Sequence, residues 1–282
     1  MILFKKAVDL AKYLKTTPHQ GMVTGFVPTM GALHAGHLSL VKACRESCQL
    51  VIASIFVNPT QFNDPKDFAR YPITIDKDIQ ALEQSGCDIL FLPDVNEIYP
   101  EGTARLPYYD LGYIETVWEG EYRPGHFQGV CQVMDRLLGI VMPQKLFMGR
   151  KDYQQCMVIR RLIELKGWQI NMRMVDTARE PSGLAMSSRN TRLSAPALEK
   201  ASIIYRAMQQ LHSNIRPGET TTISQIAIAM VMNAGFEKLD YLALADANTL
   251  EPVTHWDGER PLVALAAAFI DGVRLIDNMP IA

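Results

Sequence analysis

Short apolar runs alternate with helical patterns through the first two thirds of the chain. The runs at residues 22–27, 50–57, 89–92, 145–148 and 170–175 are strand-sized. Between them, apolar positions recur at helical spacing over 8–14, 38–47, 75–85, 130–141 and 153–165. Such alternation predicts an α/β fold: a Rossmann-like, doubly wound parallel sheet with helices on both faces. Ligands of such sheets collect at the carboxyl ends of the strands, so residues just after the apolar runs matter most. The pattern changes over 179–192, a polar stretch with Pro181, Gly183 and several serines that reads as a linker or mobile loop. Beyond it, Ser194 and Pro196 mark a helix start. Helices are expected over 195–212 and 223–234, then strands over 239–244, 262–269 and 273–276, with Asp271-Gly272 as a hairpin signal. The expected organisation is therefore a Rossmann-like domain over 1–178 and a smaller C-terminal α+β lid domain over 179–282. No internal repeat or low-complexity tract interrupts it.

Composition narrows the partners. The 282 residues exceed the usual size of one domain and can bury a substantial core. With 28 basic and 30 acidic residues the formal charge is −2, so no long-range field invites nucleic acid or an anionic membrane. Five scattered cysteines without a CxxC argue for a reducing compartment. The amino terminus lacks the apolar core of a secretion signal, and no apolar run is long enough to span a bilayer. A cytoplasmic location is expected.

Four strand ends, those of 22–27, 50–57, 145–148 and 170–175, carry unlike polar clusters. After 22–27 comes P-T-M-G-A-L-H-A-G-H at 28–37, a glycine-bearing turn that opens a helix and holds His34 and His37. Helix amino ends and turn N–H groups suit phosphate, and imidazoles can donate to charge developing on phosphate oxygens. The i, i+3 spacing of the histidines also fits zinc, but no cysteine or carboxylate nearby completes a shell. After 145–148 come Gly149, Arg150, Lys151 and Asp152, a second glycine turn at a helix start with an ammonium group suited to phosphate. After 170–175 the chain reaches Met186, Ser187, Ser188 and Arg189, whose hydroxyls and guanidinium can wrap a triphosphate. Asn58, Gln61 and Gln155 carry amides able to orient a small hydroxy acid. Taken singly these are ordinary turn, loop and surface residues. Taken together they all fall at strand ends of one expected sheet.

These segments resemble the pantothenate synthetase (pantoate–β-alanine ligase) family. P-T-M-G-x-L-H-x-G-H-x-x-L appears at 28–40, F-V-N-P-x-Q-F at 56–62 and R-Y-P at 70–72. R-P-G-H-F-x-G-V lies at 123–130, G-x-K-D-x-Q-Q at 149–155, G-L-A-M-S-S-R-N at 183–190 and R-L-I-D-N at 274–278. The first motif and the M-S-S-R segment look like the HIGH and KMSKS elements of the wider nucleotidylyl-transferase superfamily. The resemblance implies an ATP- and Mg²⁺-dependent ligation of pantoate with β-alanine through pantoyl adenylate, releasing AMP and pyrophosphate, in a homodimer.

Carried over residue by residue, it implies ATP contacts from Met30, Gly31, Ala32, Leu33, His34, Ala35, Gly36 and His37. Gly149, Arg150, Lys151, Asp152, Ala178, Met186, Ser187, Ser188 and Arg189 would complete that site, with Ala178 contributing backbone atoms. Gln61 and Gln155 would hold pantoate, Gln61 would also lie near β-alanine, and Asn58 would shape the pocket. The resemblance makes His37 the proton donor, with His34 beside it. Chemically His37 is better read as a hydrogen-bonding stabiliser, because pyrophosphate needs little protonation to leave. Lys151 and Arg189 are the expected phosphate charge stabilisers, His126 is expected to be structural, and no Mg²⁺ ligands are assigned. The chain departs from the family pattern in Arg150, which stands where an acid is usual, in Asp135-Arg136 and in Ser182. Two other functions share the first motif: a different adenylyl- or cytidylyl-transferase, and a non-catalytic nucleotide binder. Asn58 and Gln61 disfavour the first, and Lys151 with Arg189 disfavours the second.

Overall fold

The computed structural model describes residues 1–15, 21–63 and 68–281. By internal packing the chain divides into two units, 1–149 with 155–176, and 150–154 with 177–282. The expected boundary at 178/179 thus compares with 176/177, and the turn carrying Lys151 packs with the second unit.

In the first unit, strands β1 (Ile2–Phe4), β2 (Thr24–Thr29), β3 (Leu50–Ile55), β4 (Ile89–Phe91), β5 (Lys145–Gly149) and β6 (Asn171–Val175) form one sheet in the order β1-β4-β3-β2-β5-β6. Every pairing is parallel. Helices α1 (Ala7–Leu14), α2 (Ala35–Ser47), α3 (Ile75–Gln84), α4 (Val95–Ile98), α5 (Glu119–Tyr122), α6 (His126–Val141) and α7 (Tyr153–Leu165) follow in chain order. Central β3 is buried at every position, which its unbroken apolar run requires. Two separate cores flank the sheet, one centred on α6 and α7, the other on α2 and α3. The strand order reverses at β2, whose neighbours are β3 and β5. A crevice at the carboxyl ends of β2 and β5 is the place where such a sheet binds ligands.

The second unit has a core of its own. It contains α8 (Ala195–Ala201), α9 (Ile203–Asn214) and α10 (Thr221–Asn233). Its main sheet is antiparallel, in the order β11 (Val273–Pro280), β10 (Leu262–Ile270), β8 (Lys238–Asp246). Short β7 (Gly218–Glu219) pairs with β9 (His255–Trp256). Asp271 and Gly272 both have positive φ (+55° and +66°), the backbone of a tight hairpin turn between β10 and β11.

The structure changes several expectations. Strand β1 is an addition, because three residues carry no readable alternation. The short helices α4 and α5 are additions for the same reason. The helix expected over 195–212 breaks at Ser202, which ends α8 and precedes α9. Residues 179–192 are not a free linker: Arg179 bridges to Ala185, and Ser188–Arg192 forms a 3₁₀ turn.

Candidate active site

Thr29 ends β2, and Gly31 (φ +81°) and Ala32 (φ +50°) turn the chain into α2. An L-residue in the left-handed region costs about 1–2 kcal/mol, so Ala32 needs something to hold it. Asp78, buried on α3, does so: its two carboxylate oxygens accept from Ala32 N–H at 2.9 Å and Leu33 N–H at 2.8 Å. Thr74 Oγ1 donates to the same carboxylate at 3.1 Å. Asp78 escapes a sequence reading because it lies 46 residues from the turn it serves.

Three further N–H groups of the turn are committed too. Gly31 N–H meets Thr29 Oγ1 at 3.3 Å, His34 N–H meets His37 Nδ1 at 3.3 Å, and Gly36 N–H meets His34 Nδ1 at 3.1 Å. Five backbone donors of this segment are thus satisfied within the protein. The two imidazoles cap α2 themselves, a reciprocal arrangement at its first turn. Each accepts at Nδ1, which leaves Nε2 as the nitrogen of each ring that can donate. Their ring centroids are 4.1 Å apart, and both side chains are half-buried.

Asn58 follows β3 and is 1% exposed. Its Oδ1 accepts from Tyr99 Oη at 2.9 Å and Thr60 Oγ1 at 3.1 Å, and its Nδ2 donates to Gly129 O and Gln61 Oε1, both at 3.1 Å. Its amide is therefore engaged by the protein, and it positions Gln61. The other end of Gln61 donates to Met30 Sδ at 3.0 Å, joining the first motif to the F-V-N-P-x-Q-F segment. His126 accounts for R-P-G-H-F: its Nδ1 donates to Gln61 O at 2.8 Å, while its Nε2 accepts from Arg123 at 3.1 Å. Gly129 is needed for closeness. A Cβ there would lie 2.2 Å from Thr60 O. Met30, Asn58 and Gln61 are thus joined in one cluster of the first unit, His34 and His37 follow Met30 on the same turn, and Gly149 ends β5 beside β2 in the same sheet. Gln155 is half-buried on α7 of that unit.

The second unit carries its own set. Lys151 Nζ lies 3.5 Å from Asp152 Oδ1, its side chain 18% exposed. Arg179 is gripped by Asp277, with Nη1–Oδ2 at 2.6 Å and Nη2–Oδ1 at 2.9 Å, and stacks 3.9 Å over the Tyr205 ring. Arg179 Nη1 also donates to Gly183 O at 3.1 Å. Burial pushes the Asp277 carboxyl up, against the pull of Arg179. The segment so anchored holds the M-S-S-R residues: Met186 N–H donates to Ala178 O at 2.9 Å, and Ser187 Oγ accepts from Arg189 N–H at 3.3 Å. Ser187, Ser188 and Arg189 are each half-buried.

Asp135, one of the departures, has clear partners: Tyr109 Oη donates to it at 2.7 Å and Lys166 pairs with it at 2.9 Å. Burial first, then this carboxylate, push the Tyr109 hydroxyl well above its ordinary range. Among the described residues no group of three or more His, Cys, Asp or Glu side chains could hold a metal ion, and the zinc reading of His34 and His37 gains nothing.

A parallel, doubly wound sheet whose β2 leads through a histidine-capped turn into a helix defines a nucleotide-handling α/β protein. The family model of pantoate–β-alanine ligase matches residues 2–280, and this chain belongs to that family. It is 41% identical to the pantothenate synthetase of Cytophaga hutchinsonii over 283 residues, covering 100% of this chain and 99% of the relative. With the pantothenate synthetase of Cereibacter sphaeroides it shares 44% over 262 residues, 93% of this chain and 92% of the relative. Among solved structures, pantothenate synthetase from Thermus thermophilus superposes with a TM-score of 0.91 at 37% identity, covering 100% of this chain and 99% of that one. Pantoate–β-alanine ligase from Francisella tularensis, complexed with β-γ ATP and β-alanine, gives 0.83 at 35%, covering 99% and 97%.

Proposed function

We propose that this chain condenses pantoate with β-alanine in two steps that share one nucleotide site. In the first, a pantoate carboxylate oxygen attacks the α-phosphorus of ATP. A new O–P bond forms, the bond from that phosphorus to the bridging oxygen breaks, and pyrophosphate leaves. In the second, the neutral β-alanine amine attacks the activated carbonyl, an N–C bond forms, the C–O bond to AMP breaks, and the nitrogen gives up one proton to solvent to leave the amide. A free carboxylate would have to expel an oxide; AMP is a far better leaving group.

On this reading the histidines act as hydrogen-bond donors rather than acids. His37 Nδ1 is occupied by a backbone N–H, so surrendering the Nε2 proton would leave an imidazolate. A neutral, prearranged Nε2–H donor facing a phosphate oxygen strengthens as charge builds there. His34 and His37 and the residues from Met30 to Gly36 contact ATP. Gly149, Arg150, Lys151, Asp152, Ala178, Met186, Ser187, Ser188 and Arg189 contact the same nucleotide, with Lys151 and Arg189 as its cations. Gln61, oriented by Asn58 and His126, holds pantoate together with Gln155. Mg²⁺, entering with ATP, would supply charge neutralisation on the phosphates beside Lys151 and Arg189. The enzyme acts as a homodimer in the cytoplasm.

The observation that supports this most is the reciprocal capping of α2 by His34 and His37, which engages Nδ1 of each ring and leaves Nε2 as its donor. The test is exchange of labelled pyrophosphate into ATP. Exchange is expected with pantoate and Mg²⁺ present and β-alanine absent; folded protein that shows none under those conditions would falsify the ligase reading.

A further inference from the structure

The last two residues of the R-L-I-D-N block are buried polar groups on the edge strand β11. Asp277 and Asn278 are 5% and 3% exposed. Successive strand residues point to opposite faces, so neighbours can serve different partners. Asp277 grips Arg179. Asn278 Nδ2 donates to Arg150 O and Lys151 O, both at 2.8 Å. Two converging carbonyls fix the amide orientation, since the flipped form would set oxygen against oxygen. They also fix the residue type: a carboxylate has no proton to offer them. The fixed amide directs two hydrogens at the backbone of the turn that bears the Lys151 ammonium, and Asn278 N–H is held in turn by Asp277 Oδ1 at 2.8 Å.

We propose that Asn278 is the positioning residue of Lys151, acting on adenylate formation through the backbone of that turn without touching substrate. The inference rests on the role given above to Lys151. Rigid backing of a charged group matters because a displacement on the order of 1 Å can cost about a hundredfold in rate.

Asn278→Asp keeps the shape and replaces donors by acceptors facing two carbonyls. Pyrophosphate exchange by N278D is expected to fall at least tenfold in kcat, while the KM for pantoate stays within twofold. In a Lys151→Ala background the same change is expected to add less than twofold, because the group it positions is gone. Asn278→Ala removes the donors without adding charge and carries the same comparisons should N278D fail to fold. Exchange retained within twofold, a pantoate KM that rises in step with the loss of kcat, or effects that multiply in the double variant would each overturn the proposal. Wild-type protein without exchange would instead defeat the ligase reading itself.

Discussion

The His37 side chain does two jobs at once: it caps a helix through Nδ1 and, by that bond, keeps its proton at Nε2. Removing it should therefore cost more catalysis than stability, a cap being worth about 0.5–2 kcal/mol. His37→Ala and Lys151→Ala are each expected to lower pyrophosphate exchange more than tenfold with native circular dichroism retained. Wild-type exchange in either variant would remove that residue from the mechanism. Asp78 acts one layer back. Asp78→Asn leaves one acceptor oxygen for two N–H groups and sets an amide donor against the second, so the left-handed Ala32 loses its hold. Its exchange rate should drop with that of His37→Ala, and the backbone amide signals of Ala32 and Leu33 should shift. Unmoved signals would contradict the assigned contact.

Elements are placed by side chains remote in sequence. The close approach of α6 to the 3₁₀ turn Pro59–Gln61 depends on Gly129, so Gly129→Ala forces two backbones apart. Overpacking of this kind typically costs about 1–3 kcal/mol. Urea denaturation should register that loss, and the KM for pantoate should rise because Gln61 rides on the displaced turn. At the start of α1, Glu97 accepts from Ala7 N–H at 2.8 Å and pairs with Lys6 at 2.9 Å, which holds its carboxyl below the usual range. A carboxyl depressed in the folded state stabilises above the unfolded value, about 4.3 for glutamate, and that contribution fades as pH falls through the folded value. Glu97→Gln should therefore be less stable than wild type at neutral pH, the two converging on acidification. A gap that stays constant with pH would contradict this. The helices and strands themselves were largely legible because burial imposes period on the sequence. β1, α4 and α5 were not, being too short to show one.

For the whole molecule, all five cysteines are buried. Burial pushes Cys44 far above its ordinary range with Cys48 adding to it, raises Cys87 to about 11 and carries Cys131 to about 12. All five thiols are out of reach of solvent, and thiolate is scarce at the raised values of Cys44, Cys87 and Cys131, so native protein should resist a thiol reagent near neutral pH and expose five reactive groups only in denaturant. A fast-reacting thiol in the native state would be incompatible with these cores. No helix among the described residues is long and apolar enough to cross a membrane. Light scattering measures the proposed homodimer directly.

The chain by itself determined the parallel sheet, the hairpin at Asp271-Gly272 and the residues able to do chemistry, because periodic burial and turn stereochemistry are local constraints. It also carried the family motifs in order. Only the tertiary structure decided what each polar side chain does. Asp78 holds the backbone donors of Ala32 and Leu33, His126 holds the carbonyl of Gln61, and Asn278 donates to the backbone of the Lys151 turn. Hydrogen bonds between groups dozens of residues apart leave no period in a sequence, since one donor and one acceptor suffice and any stretch of chain can lie between them.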